Sequence, residues 1–180
     1  MENQINAHDL FFEPFISEAE LAARVKELGN AIRHDFEGKR PLFIGVLNGA
    51  FVFAADLIRA ANIECEMAFV RLTSYEGTAS TGAVETILGL DVEVKNRHVI
   101  VVEDIVDSGR TLHYFMAQLL DLRPASISLA ALLFKPEALQ MPVKIDYLGF
   151  EIPNKFVVGY GLDYDGLCRN LPSIYQLIEA

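Results

Sequence analysis

The chain has 180 residues, 52% of them hydrophobic and 22% charged, which suits one domain with a substantial core and excludes a disordered chain. A formal net charge of −10 argues against nonspecific nucleic-acid or anionic-membrane binding, and two cysteines, Cys65 and Cys168, support neither a disulfide framework nor a zinc cluster. No apolar stretch reaches membrane-spanning length and the first residues lack the pattern of a signal peptide, so a cytoplasmic location is expected.

In chain order, Ser17-Glu18-Ala19-Glu20 has the form of a capping box, and Leu21, Ala22, Val25, Leu28 and Ile32 recur at helical spacing, predicting a helix over 17–36. Leu42 to Leu47, bounded by Pro41 and Asn48-Gly49, reads as a buried strand, with a helix over 51–58 packed on it. A second strand is predicted over 63–72 and a loop of small polar residues over 73–84. A strand over 97–103, a helix over 112–120 and a strand over 126–134 follow. Alternating strands and helices imply a parallel sheet covered on both faces. Beyond Pro136 the prolines at 142, 153 and 172 punctuate short segments, 147–150 and 156–158 among them. This tail, joined by part of the N-terminus, is expected to form a small hood over the sheet's C-terminal edge. The expectation is thus an α/β fold with one domain over 1–180, a core over 17–135 and a hood mainly over 136–180.

The most informative stretch runs from Val99 to Leu112. An apolar strand delivers Glu103 and Asp104, then Asp107, and Ser108-Gly109-Arg110-Thr111 lead into a helix. Adjacent carboxylates suit a vicinal diol, and the amides and hydroxyls of a helix start suit a phosphate, so the run fits a ribose phosphate. In a regular strand Glu103 and Asp104 point to opposite faces; at a strand end, where the backbone turns, both can approach one ligand. The plainer reading, solvated acids with Asp107 as a helix cap, does not explain why strand, three acids and turn coincide. Neither a Walker loop nor a dinucleotide glycine fingerprint is present, which removes the generic dehydrogenases.

Two further segments carry chemistry. Lys135 follows an apolar strand directly, and its three donors suit a six-oxo group and reject an amino group. Phe156 offers a flat face ahead of Val157-Val158-Gly159-Tyr160-Gly161-Leu162-Asp163-Tyr164.

Together these motifs resemble those of the hypoxanthine-guanine phosphoribosyltransferases, across 41–171. The resemblance implies a phosphoribosyltransferase core with a hood, and transfer of a ribose phosphate from phosphoribosyl diphosphate to a six-oxopurine. It implies that Glu103 and Asp104 hold the ribose hydroxyls, in part through magnesium, that Asp107 is the general base or acid for the purine, and that Asp107, Ser108, Gly109, Arg110 and Thr111 wrap the phosphate. Lys135 would select the six-oxo group, Phe156 would stack on the purine and the Val157 backbone would bond its edge. Asp163 would hold a magnesium ion bridging the diphosphate, and Arg169 would pair with the departing diphosphate. Leu47, Asn48 and Gly49 would turn amides toward that diphosphate, commonly through a non-proline cis peptide, and Ser74 and Tyr75 would belong to a closing lid. Family members often carry lysine where this chain has Asn48, and frequently where it has Arg110.

The expected partners are the two small substrates, with no nucleic acid and no membrane, in a homodimer or homotetramer. A non-catalytic regulator that keeps the ligand site and binds nucleic acid is opposed by the charge of −10. An adenine or pyrimidine transferase is opposed by Lys135 and Phe156; a preference for xanthine stays open.

Overall fold

Two β-strands, β1 (Ile5–Ala7) and β2 (Leu10–Ile16), pair antiparallel and lead into α1 (Glu18–Phe36). The capping box forms as the sequence implies: the Glu20 amide donates to Ser17 Oγ at 3.3 Å and the Ser17 amide donates to Glu20 Oε2 at 2.9 Å, a cap that contributes about 1 kcal/mol. There follow β3 (Leu42–Leu47), α2 (Phe51–Ala61), β4 (Glu66–Leu72), β5 (Thr86–Leu88), β6 (His98–Val106), α3 (Arg110–Asp121) and β7 (Ser126–Phe134). The chain ends through β8 (Tyr147–Glu151), β9 (Val157–Val158) and β10 (Ile174–Leu177). This is a computed structural model, and it describes residues 4–72, 86–88 and 92–178. The expected loop over 73–84, with Ser74 and Tyr75, lies outside the described residues. No helix among the described residues is long and apolar enough to cross a membrane.

The larger sheet has strand order β5-β4-β3-β6-β7-β8, in which β4, β3, β6, β7 and β8 run parallel and β5 antiparallel. Its central strands are apolar on both sides because helices cover both faces. Phe43, Ile100 and Val102 pack against Leu21, Val25, Leu28 and Ile32 of α1 and Phe53 and Leu57 of α2. Leu42, Ile44, Val99 and Val101 face Leu112, Phe115 and Leu119 of α3. The chain leaves β3 toward β4 on one side and β6 toward β7 on the other, so the order reverses between β3 and β6. That is where an open parallel sheet leaves a crevice at its C-terminal edge.

β2 and β1 join β10 and β9 in a second, four-stranded sheet of order β1-β2-β10-β9. One segment of the expected hood belongs elsewhere. Tyr147 to Glu151 forms β8, the edge of the core sheet, paired parallel to β7 from Ala130↔Tyr147 to Phe134↔Glu151. Contacts with α1 explain the placement. Tyr147 is buried and its hydroxyl donates to Asp35 Oδ2 at 2.6 Å, while Arg24 donates to the carbonyls of Leu148 and Gly149 at 2.7 and 2.9 Å. An edge whose carbonyls are already occupied is a poor template for another strand.

Candidate active site

β6 is longer than its apolar run. It pairs with β3 only from Leu42↔Val99 to Gly45↔Val102, but with β7 as far as Val106↔Phe134. Glu103 and Asp104 therefore lie within β6, beyond the point where β3 leaves it, and not at a strand end. What brings both acids to one cleft is a slip in alternation. Ile100, Val102 and Ile105 all pack on the α1–α2 side, whereas Val99, Val101 and Val106 pack on the α3 side. The even–odd rule thus breaks between Val102 and Ile105, at the two acids themselves. Asp104 Oδ1 accepts from the Ile105 amide at 2.9 Å at that irregularity.

The loop after β3 completes this side. The Leu47–Asn48 peptide is cis. A Cβ at Gly49 would come within 1.5 Å of Asp104 Oδ2, so only glycine lets the carboxylate lie against this backbone. A cleft of 300 Å³ is lined by Leu47, Asn48 and Gly49, by Glu103 and Asp104, by Thr111 at the start of α3, and by Asp163 and Arg169. A second hollow of 140 Å³ is bounded by Glu103 and by every residue from Ile105 to Leu112. Gly109 caps α3 at φ 74°, and a Cβ there would meet Met141 O at 2.7 Å. The first-turn amides of α3 have no carbonyl ahead of them in the helix, which makes the hollow suited to an anion.

The acids differ in their surroundings. Glu103 Oε2 is buried without a hydrogen-bond partner. Burial, reinforced by the neighbouring Asp104 carboxylate, pushes the Glu103 carboxyl well above the usual range. Burial raises Asp104 as well, opposed by the Ile105 amide and by Arg169. Asp107, by contrast, is half exposed, and Lys135 Nζ stands 3.2 Å from its Oδ2. Lys135 itself is 7% exposed, fixed by its amide to Val106 O at 3.0 Å. Asp163 is paired too: Oδ1 lies 2.7 Å from Arg169 Nη2, and Oδ2 accepts from the Gly166 amide at 2.7 Å.

Phe156 and Val157 line neither cleft. Val157 is buried in β9, while Phe156 is 42% exposed and packs edge-on against Tyr164 at 5.8 Å. Tyr164 adjoins Asp163, so the expected purine platform touches the loop that carries the hood's acid. Arg71, which the sequence reading did not single out, donates to Asn48 Oδ1 at 2.8 Å. It stands at the C-terminal end of β4, in register with Leu47. A cation at the C-terminal end of a strand parallel to β3 is the signal that could have found it.

A family model for the phosphoribosyl transferase domain matches residues 17–165. The hypoxanthine-guanine phosphoribosyltransferase of Lactococcus lactis is 46% identical over 160 residues, 88% of this chain and 87% of that protein. Its counterpart in Bacillus subtilis is 44% identical over 166 residues, 92% of each. Among solved structures, a hypoxanthine-guanine phosphoribosyltransferase from Bacillus anthracis superposes with a TM-score of 0.87 at 42% identity, covering 92% of this chain and 98% of that one. The chain belongs to the phosphoribosyl transferase family and, within it, to the hypoxanthine-guanine phosphoribosyltransferases.

Proposed function

We propose that this protein is a purine-salvage transferase, converting hypoxanthine or guanine plus phosphoribosyl diphosphate to the nucleoside monophosphate and diphosphate. The observation that carries the reading is the 300 Å³ cleft where the loop at Leu47–Gly49, the adjacent acids Glu103 and Asp104, the α3 start, Asp163 and Arg169 meet. In this reading the ribose phosphate lies in the hollow bounded by Asp107, Ser108, Gly109, Arg110 and Thr111. Its hydroxyls face Glu103 and Asp104, and the diphosphate lies along Leu47, Asn48 and Gly49 toward Arg169. Arg71 brings to this loop the positive charge that the Asn48 side chain lacks.

The residues fit magnesium. Two adjacent carboxyls are driven up by burial and one oxygen has no partner, so a cation there relieves an uncompensated pair. No group of three or more His, Cys, Asp and Glu is gathered among the described residues. A site of one or two carboxylates completed by substrate oxygens and water suits magnesium, which Glu103 and Asp104 would hold at the sugar and Asp163 at the diphosphate. Bound there, it supplies positive charge against the sugar and diphosphate oxygens.

In the reaction a ring nitrogen of the purine forms its bond to the anomeric carbon as the bond from that carbon to the diphosphate oxygen breaks. Asp107 takes the proton that the nitrogen sheds. Lys135 donates to the six-oxo group, and Phe156 and Val157 hold the base. The surrounding carboxylates favour the positive charge that develops on the ribose. We place the enzyme in the cytoplasm as a homodimer or homotetramer, to which exposed Phe51 and Phe69 offer apolar surface. The deciding assay supplies magnesium, phosphoribosyl diphosphate and one base at a time. Nucleotide from hypoxanthine and guanine but not adenine is expected; product from xanthine alone would move the substrate assignment, and none from any base would overturn the reading.

A further inference from the structure

The hood loop that carries Asp163 and Arg169 is braced internally. Gly159 and Leu162 exchange amide–carbonyl bonds at 3.0 and 3.1 Å, the Tyr160 and Gly161 amides donate to the Leu171 and Arg169 carbonyls at 2.8 and 3.0 Å, and Arg169 Nη1 donates to Gly161 O at 2.7 Å. Such a loop moves as a block, and besides the buried Leu162 it meets the core at Gly161 and at Tyr160. At Gly161, φ 104°, a Cβ would come within 2.2 Å of Gly49 O, so the block rests on the diphosphate loop itself. At Tyr160, φ 50°, the buried ring directs its hydroxyl to Asp56 Oδ2 at 2.7 Å. Asp56 lies on α2, which starts directly after Asn48 and Gly49. Asp56, Tyr160 and Arg169 also share the wall of a separate cavity of 450 Å³. Asp56 Oδ1 faces Arg59 at 3.3 Å, so the carboxylate keeps a cation if the tyrosine hydroxyl is removed.

We infer that the Tyr160–Asp56 hydrogen bond is a positioning strut that sets where Asp163 and Arg169 stand relative to the Asn48–Gly49 loop. It tunes affinity for the diphosphate end of the substrate without touching it. The inference rests on the proposed function for the identity of that substrate. A gap of a few tenths of an ångström at this bond displaces the whole block, because nothing inside the block yields first. The purine side has further anchors that the strut does not share: β9 pairs with β10, and Lys135 is held by its amide at the end of β7.

The test compares Tyr160→Phe, Asp56→Ala and the double variant with the unaltered enzyme, by steady-state kinetics and by calorimetric titration with magnesium phosphoribosyl diphosphate. Each single change is expected to raise KM and Kd for phosphoribosyl diphosphate by roughly five- to tenfold, less than the full worth of a hydrogen bond to a charged group because this bond acts only through the position of the loop. KM for hypoxanthine should stay within about twofold, and the double variant should be no worse than either single one. Unchanged affinity in both single variants overturns the strut, as does an equal loss for both substrates or a multiplied loss in the double variant. A lowered Tm without the split between substrates also overturns it, since that marks a merely structural bond. The titration reads the strut whether or not turnover occurs. An unaltered protein that binds phosphoribosyl diphosphate but makes no nucleotide defeats the transferase reading alone, and unaffected binding in the variants defeats the strut alone.

Discussion

The acids of the cleft fall into two groups with opposite electrostatic histories. Glu103 and Asp104, on β6, are adjacent and partly buried, with Glu103 Oε2 left unpartnered and only Asp104 offset by a cation, Arg169. Asp107 and Asp163, at the turn into α3 and in the hood loop, each hold a cation of their own, Lys135 and Arg169. The first pair is destabilised by its environment and gains on binding anything that donates or carries positive charge. The second pair begins neutralised, so in the proposed reaction a substrate would enter by exchanging partners, the six-oxo group competing for Lys135 and the diphosphate for Arg169. On that proposal, affinity for the sugar would come from relieving a penalty, and selectivity for the base and leaving group from displacing an internal partner.

The comparison breaks most visibly at Asp107. Asp107→Asn keeps a side chain for Lys135 to contact but removes the proton acceptor, so kcat should fall roughly hundred- to ten-thousand-fold while substrate KM values stay within a few-fold. Unchanged turnover in a steady-state assay would remove Asp107 from proton transfer. Lys135→Met comes next. It should lower kcat/KM for hypoxanthine by about tenfold to hundredfold, the worth of one charged hydrogen bond, and narrow the margin over adenine in a competition assay. A loss confined to phosphoribosyl diphosphate would instead place Lys135 on the sugar side.

The smallest effect sharpens the Glu103–Asp104 side and is read in stability. A carboxyl whose folded-state pKa lies above its unfolded one binds more protons when folded, so its contribution is full at low pH. That contribution is lost as pH rises from the ordinary glutamate value of 4.5 through the raised folded one. The metal-free protein should therefore lose stability on going from mildly acidic to neutral pH at these residues. Glu103→Gln should flatten that dependence and raise the metal-free Tm at neutral pH by about 2–4 °C, while weakening sugar binding. A Tm lowered at neutral pH by Glu103→Gln would show that the acid is compensated after all.

Much of this was legible in the residues. Ser17 and Glu20 announce the start of α1 because a capping box is a local device whose donors and acceptors lie three residues apart. The strand over 126–134 is set by a nearly continuous apolar run, and β7 occupies those same residues. The acid-rich run from Glu103 to Thr111 carries its chemistry in its composition, so the expectation of a ribose-phosphate site could be drawn from it, and the same residues, Asp104 aside, bound the hollow at the start of α3. Where the reading went astray, long-range contacts decided. Tyr147 to Glu151 looks like one more short segment among prolines, and only Asp35 and Arg24 on α1, more than a hundred positions earlier, assign it to the core sheet. Arg71 was passed over for the same reason: its value depends on the register that sets it beside Leu47.

The sequence by itself determined the alternating strands and helices of the core from β3 to β7, β5 aside, the anion-ready turn at Ser108–Thr111 and the residue types suited to ribose, phosphate and a six-oxopurine. These depend on periodicity, caps and side-chain chemistry, which act over a few residues. Only the tertiary structure decided how the acids are paired, that alternation slips at Glu103–Asp104, that Gly49 lies against Asp104, and that Tyr160 ties the hood loop to α2. Apart from the local slip and the Asp163–Arg169 pair, those features join segments tens to more than a hundred residues apart. Their energies exist only once the sheet has brought the C-terminal ends of β3 and β6 together and the hood loop has closed onto them.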